Sequence, residues 1–282
     1  MMTRRICVTG ANGLAGKAVV RELGEQGYDV AATDIATRFG EDDVLRADLT
    51  DYGQTVEALS GASAIVHLAN IPAPGLATPA VTFNANMTMN FNVFQAAATL
   101  GVSRVVWASS ETTLGLPFDV PPRYAPVDED HYPVPTSTYA LSKVATETIA
   151  GHFAQWSGIP FVALRFSNIW SPGNYHEFPS FWDDPQKRMW NLWGYVDERD
   201  VALSCRLALE ADAPAVAASP SFIIAAADTV MNQPSADLMA SVFPGVPLTS
   251  PLGEFGTLLS IDRARKVLGY QPRHSWRDHL SA

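Results

Sequence analysis

Thr9-Gly10-Ala11-Asn12-Gly13-Leu14-Ala15-Gly16 decides the fold, because of what flanks it. Before it, Arg4 to Thr9 (RRICVT) reads as a short buried strand; after it, Lys17 to Gly27 reads as a helix whose apolar side carries Ala18, Val19 and Leu23. The glycines therefore fall where a strand hands over to a helix. At such a junction the backbone must turn sharply, approach a ligand with no Cβ in the way, and pack the new helix on the strand. Free N–H groups of the first helical turn and the positive end of the helix dipole then face a pyrophosphate. A second strand, Asp29 to Thr33, leads to Asp34, whose carboxylate can accept hydrogen bonds from an adenosine ribose. This is a dinucleotide site, with Gly10, Asn12, Gly13, Leu14 and Gly16 at the turn and Asp34 at the ribose. A carboxylate there repels a ribose 2′-phosphate, so NAD is favoured over NADP. Arg38 could hold such a phosphate, but reads better as a solvated loop charge.

Outward from the turn, the chain alternates strand and helix. Val44 to Leu49 reads as a strand in which Asp48 can hold an adenine amino group while Leu49 packs the ring; Asp48 could equally cap the helix Tyr52 to Leu59. Ala64 to His67 reads as an interior strand and His67 as a satisfied core residue, since it has no partner at metal spacing. A long helix runs from about Pro79 to Leu100 and carries Asn84, Asn86, Asn90 and Asn92, an odd run for a middling helix former. Some of these suit a solvated face, while Asn86 is a candidate to steady an active-site lysine through a water. Ser103 to Trp107 is the next strand, followed by Ala108-Ser109-Ser110-Glu111. Ligand-type residues thus recur at strand ends, where an open parallel sheet binds its ligands. The fold class is α/β: a Rossmann-type, doubly wound parallel sheet with a small C-terminal substrate-binding region. Residues 1–165 are expected to be mainly the dinucleotide-binding part and 166–282 mainly the lid and C-terminal elements, interleaved in one unit.

Composition narrows the class of protein. With 282 residues, 47% hydrophobic and 17% charged, the chain has material for a large core and no sign of disorder. A net charge of −10 disfavours nucleic acid as a partner. Cys7 and Cys205 form no metal-type pair or disulfide framework, which suits a reducing compartment. No apolar run reaches bilayer length and the amino terminus runs straight into the first strand, so no membrane partner and a cytoplasmic location are expected.

The chemistry sits in Thr136-Ser137-Thr138-Tyr139-Ala140-Leu141-Ser142-Lys143, which opens a helix running to Trp156. Tyr139 and Lys143 are four apart and share a helix face. A phenol is a poor base at neutral pH, but an adjacent ammonium and a cationic nicotinamide both favour the phenolate. Tyr139 then takes the proton of an alcohol, Ser110 holds the same oxygen, and Lys143 lowers the tyrosine pKa and grips the nicotinamide ribose.

These motifs resemble the extended short-chain dehydrogenase/reductase superfamily, which includes NAD-dependent sugar epimerases, dehydratases and sugar dehydrogenases. The likeness covers TGANGLAG (Thr9 to Gly16), Asp34, Asp48-Leu49, HLAN (His67 to Asn70), SSE (Ser109 to Glu111), YALSK (Tyr139 to Lys143), LRFSN (Leu164 to Asn168), YVDERDVA (Tyr195 to Ala202) and SIDRARKVLGYQP (Ser260 to Pro272), nearly the whole chain. It implies Ser110, Tyr139 and Lys143 as catalytic residues. Leu68, Ala69 and Asn86 join the cofactor set, and Glu111, Thr112 and Asn168 the substrate set. Two departures stand near the substrate: Met89 and Asn90 replace a glycine and a threonine of the long-helix pattern, and Ser171-Pro172-Gly173 replaces a Gly-Pro.

The segment 171–194 should be the lid, rich in aromatic residues that suit sugar faces, although core packing accounts for at least half of them. Resembling enzymes that hold nucleotide diphosphate sugars use a longer insertion, so a short lid implies a small, free substrate. Arg188-Met189 is similar to the lid of uronate dehydrogenases, in which an arginine clamps the sugar carboxylate. Glu111 argues the other way, because it would repel such a carboxylate. The expected function is NAD-dependent oxidation of a hydroxyl on a free monosaccharide or uronate. A nucleotide-sugar 4-epimerase or dehydratase is the alternative, and a non-catalytic dinucleotide sensor the reading of another class. The resemblance also implies a homodimer paired through the two long helices.

Overall fold

The computed structural model describes residues 4–37, 43–131, 133–218 and 220–280; Arg38 lies outside them. Its strands are β1 (Arg5–Thr9), β2 (Asp29–Asp34), β3 (Val44–Arg46), β4 (Ala64–His67), β5 (Val105–Ser110), β6 (Phe161–Phe166), β7 (Ile169–Trp170), β8 (Val196–Asp197) and β9 (Ser221–Ile224). The α-helices are α1 (Leu14–Glu25), α2 (Tyr52–Leu59), α3 (Pro79–Leu100), α4 (Thr138–Ser157), α5 (Pro179–Trp182), α6 (Glu198–Glu210), α7 (Ala213–Ala218), α8 (Ser235–Val242) and α9 (Asp262–Leu268).

Among the described residues the main sheet has the order β3-β2-β1-β4-β5-β6-β9, every pair parallel. Strands of such a sheet are apolar on both sides because helices cover both faces. Here Ile6, Val8, Val66, Val106 and Leu164 pack with Val19 and Leu23 of α1 and Val201 and Ala208 of α6. Their neighbours Cys7, Ile65, Val105, Trp107 and Ala163 pack on the opposite face with Leu59, Val93, Phe94 and Phe153 of α2, α3 and α4. The two cysteines are both buried, one on each face.

The doubly wound parallel sheet is the one expected, with three adjustments. Helix α1 starts at Leu14, inside the glycine turn, because Gly13 already has the extended backbone of a cap. Strand β5 runs on to Ser110, so that serine closes the strand itself. From the C-terminal part, β9 joins the sheet beside β6. The order reverses between β1 and β4, and a crevice opens at the carboxyl ends of these strands. No helix among the described residues is long and apolar enough to cross a membrane.

Candidate active site

The crevice is a cleft of about 1180 Å³. One end is floored by the glycine turn. Gly10 has φ +71°, and a Cβ there would stand 2.7 Å from the Ala69 nitrogen; a Cβ on Gly16 would stand 2.0 Å from the Gly10 carbonyl oxygen. No side chain caps α1, so its amino-terminal N–H groups point at the cleft without a protein acceptor from a capping residue. Asp34 accepts from the Asn12 N–H (3.0 Å) and the Ala36 N–H (2.9 Å), which closes the turn onto the end of β2. Asp48 accepts from the Thr50 N–H and hydroxyl, which holds its carboxyl below the usual range, while Asp51 is the residue that caps α2. Gly10, Asn12, Gly13, Leu14, Gly16, Asp34, Asp48, Leu49, Leu68 and Ala69 all line this end. A bare helix terminus over a side-chain-free turn, with a carboxylate one strand away, fits a dinucleotide.

Asn86 does not line the cleft. Its amide is spent on Ile71, accepting from the backbone N–H (2.8 Å) and donating to the carbonyl (3.1 Å), so it tethers the loop after β4. The asparagines of α3 act as a set that the sequence did not reveal. Asn92 donates to the carbonyls of Leu49 and Thr50, holding the adenine-side turn. Asn90 sits among His67 (2.9 Å), Thr146 (3.0 Å) and Asn70, tying the end of β4 to α4. His67 also meets the Thr9 hydroxyl at 2.7 Å, and burial pushes its pKa down to about 3, so it is a neutral ring in a satisfied network. Asn84 alone of the four is exposed. The available signal was the run itself, with Asn86 and Asn90 on one helix face.

Ser110, Tyr139 and Lys143 meet in the middle of the cleft, all buried. Lys143 donates to the Ala108 carbonyl at 2.7 Å, with its Nζ 5.6 Å from the centre of the Tyr139 ring. Glu147, one turn on, accepts from Ser109 and pairs with Arg165 at 2.8 Å, fixing α4 to β5 and β6. The expectation that Lys143 depresses the tyrosine pKa is not met in the protein alone. Burial pushes the Tyr139 phenol up to about 12, with a hydrogen bond to Ser110 lowering it and the Glu111 charge raising it further. The same burial pushes Lys143 down to about 7, against the pull of Glu147. Desolvation outweighs the pair because both groups lie out of water.

At the other end stand Glu111, Thr112, Asn168 and Trp190, with Leu116 and Pro117. Thr112 donates to the Ser110 oxygen at 3.0 Å. Glu111 accepts from the Ser167 hydroxyl (2.6 Å), Asn191 Nδ2 (3.1 Å) and the Asn168 N–H, yet burial still pushes it up to about 7. Arg188, like Asn86, does not line the cleft. Its guanidinium donates to Asn168 Oδ1 and the Gly194 carbonyl, both at 3.1 Å, and lies 4.8 Å from the Trp190 ring. Of the lid aromatics, Tyr175, Phe178 and Trp193 are core; Trp190 reaches the cleft. The lid is pinned by Tyr175, which donates to Asp197, a carboxylate that Arg199 also holds.

A parallel sheet with a dinucleotide turn at its switch point, and a serine, tyrosine and lysine beside it, defines a nucleotide-dependent oxidoreductase class. Residues 6–181 match the NAD dependent epimerase/dehydratase family, and the chain belongs to it. Its cofactor is NAD. The NAD-dependent glucose-6-phosphate dehydrogenase of Haloferax volcanii is 28% identical over 200 residues, 64% of this chain and 76% of that protein. The uronate dehydrogenase of Pseudomonas syringae pv. tomato is 26% identical over 199 residues, 69% of this chain and 66% of that protein. Against UDP-glucose 4-epimerases the aligned stretch spans about half of their length. In three dimensions the chain is similar to a short-chain dehydrogenase/reductase superfamily protein from Agrobacterium tumefaciens with bound NAD. That comparison has TM-score 0.74 and 24% identity, and covers 97% of this chain and 94% of that one.

Proposed function

We propose that this protein is an NAD-dependent dehydrogenase that oxidises one hydroxyl of a small polar substrate, a free monosaccharide or uronate. The observation that carries the reading is the meeting of Ser110, Tyr139 and Lys143 in one cleft with the glycine turn, under a short lid. Two relatives named for dehydrogenation of sugars without a nucleotide support it.

In this reading the substrate hydroxyl lies against Ser110 and Tyr139; the phenol first gives up its own proton to solvent, and the resulting phenolate takes the hydroxyl proton. A phenol held near 12 does not ionise by itself at neutral pH, so proton transfer must be coupled to positive charge arriving beside it. Bound NAD supplies that charge together with the hydride acceptor. Lys143, fixed on the Ala108 carbonyl, keeps further N–H groups for the ribose side.

The test is incubation with NAD and a panel of free aldoses, uronates and UDP-sugars, following NADH absorbance. NADH formed with a free sugar is the expected result; none with any of them removes the proposal. The family and its UDP-glucose 4-epimerase relatives favour a second reading, in which the hydride is returned and the sugar changes configuration without net NADH. We also infer a cytoplasmic homodimer. Exposed Phe91 and Trp156 flank Phe153 on the face formed by α3 and α4, and sedimentation at a single-chain mass would exclude the pairing.

A further inference from the structure

We propose that the substrate end of the cleft selects an uncharged polyhydroxy compound over carboxylated or phosphorylated sugars, with Glu111 as the specificity-determining residue. This rests on the dehydrogenase reading and narrows it.

The charge inventory of the cleft carries the argument. Among the described residues, its walls contain three carboxylates, Asp34, Asp48 and Glu111, and a single cationic side chain, Lys143. Lys143 stands at the reacting centre on the Ala108 carbonyl. A carboxylate or phosphate at the Glu111 end would be taken out of water with no cation lining the cleft there and, above the pH of about 7 at which Glu111 ionises, with a carboxylate beside it. An uncompensated buried charge of that kind is strongly unfavourable.

Arg188, whose charge lowers the Glu111 pKa, does not line the cleft and so does not present that charge to a ligand there. Its two terminal nitrogens are bonded to Asn168 and Gly194, and its plane is hemmed by Trp190 at 4.8 Å, Phe181 at 5.3 Å and Trp170 at 5.8 Å. It is a positioning residue. Asn168 Oδ1 accepts from both Arg188 and the Trp170 indole N–H at 2.7 Å, so the amide is oriented with its NH2 left to donate in the cleft it lines.

What remains at this end matches hydroxyl groups. Glu111 accepts from Ser167, Asn191 and the Asn168 N–H, which leaves acceptor capacity on a carboxyl that has room for about four hydrogen bonds. Asn168 donates, the Ser110 and Thr112 hydroxyls can do either, and Trp190, Leu116 and Pro117 offer apolar surface to the carbon face of a ring. Adjacent hydroxyls on a neutral sugar satisfy an acceptor and a donor at once.

The experiment compares kcat/KM for matched pairs on the NAD-loaded protein: neutral aldoses, the corresponding uronates, the 6-phosphates and UDP-sugars. Calorimetric binding of the same compounds to Tyr139→Phe with NAD gives a readout free of turnover. Expected is a preference of about tenfold or more for the neutral member in both measurements, and a narrowing of that ratio by about tenfold in Glu111→Gln. Gln keeps an acceptor for Asn191, so thermal unfolding of the variant should show it folded; if it is not, the wild-type ratios decide alone. A uronate or phosphate turned over as well as its neutral partner overturns this inference and leaves the dehydrogenase standing. NADH from no free sugar overturns both.

Discussion

The two ends of the cleft are built by different means. At the Gly10 end the protein offers backbone: a turn too tight for a Cβ at Gly10 or Gly16, a helix terminus without a side-chain cap, and strand ends fixed by ladder pairing. At the Glu111 end it offers side chains brought from three separate segments, with Glu111, Ser167, Asn168, Arg188 and Asn191 each oriented by the others. A backbone surface recognises what any dinucleotide has in common, whereas a side-chain surface can be exchanged to choose a substrate. On the proposed reading, cofactor binding falls to the first end and specificity to the second, with Tyr139 between them.

The sharpest test of that division lies at the junction. Tyr139→Phe should lower kcat by about 10³-fold while NAD affinity, read by fluorescence titration, stays unchanged. Activity that survives would mean that the proton leaves by another route. Next in size is the effect of Glu111 on stability. Its folded-state pKa is raised from 4.5 to about 7 by burial, so the folded protein holds a proton that the unfolded chain releases. The corresponding stability is fully present below pH 4.5 and is lost as pH rises through about 7, at most roughly 3 kcal/mol. His67, depressed to about 3, drifts the opposite way, losing stability as pH falls below 6.5, but does so in wild type and variant alike. The difference in unfolding free energy between Glu111→Gln and wild type should therefore grow in the variant's favour from pH 4.5 to 7 in dinucleotide-free protein. A flat difference would mean that Glu111 is not held as a neutral acid.

Smaller effects should separate the two ends directly. Gly10→Ala forces a left-handed backbone on a residue with a Cβ, about 1–2 kcal/mol before any clash with Ala69, and should raise the NAD dissociation constant. Asn168→Ala removes one donor and should raise KM for the substrate about tenfold with NAD binding intact. If Asn168→Ala weakened NAD as much as Gly10→Ala does, the division of labour would fail.

That same contrast explains what the sequence could convey. The glycine turn, the Asp34 strand end and the Tyr139–Lys143 spacing are local: their geometry follows from neighbours within a few residues, so the order of strand, turn and helix suffices to read the sheet. Arg188 was legible only as a cation in a lid. That its guanidinium turns onto Asn168 and Gly194 depends on where β6 and the lid meet, which no local pattern encodes. The acidities of Tyr139 and Lys143 depend likewise on burial by remote segments, which is why four-residue spacing suggested a depressed phenol and the folded chain holds it near 12. The helical position of Asn86 points it toward Lys143, whereas its partner is the loop that follows β4.

Asn86 gives the smallest effect and the cleanest choice between those two readings. If it serves the lysine, Asn86→Ala should displace the pH dependence of kcat. The hydrogen bonds observed run instead to both polar groups of the Ile71 backbone, on a loop whose residues 71–74 line the cofactor cleft. Losing them leaves a loop that water can partly re-solvate, so the expected loss is about 1 kcal/mol, seen as a melting temperature lower by about 2–4 °C. KM for NAD should rise modestly, and the pH profile of kcat should not move, because Lys143 keeps the burial and the Glu147 field that set its charge. A displaced profile with unchanged melting would return Asn86 to the lysine and make the loop contact incidental.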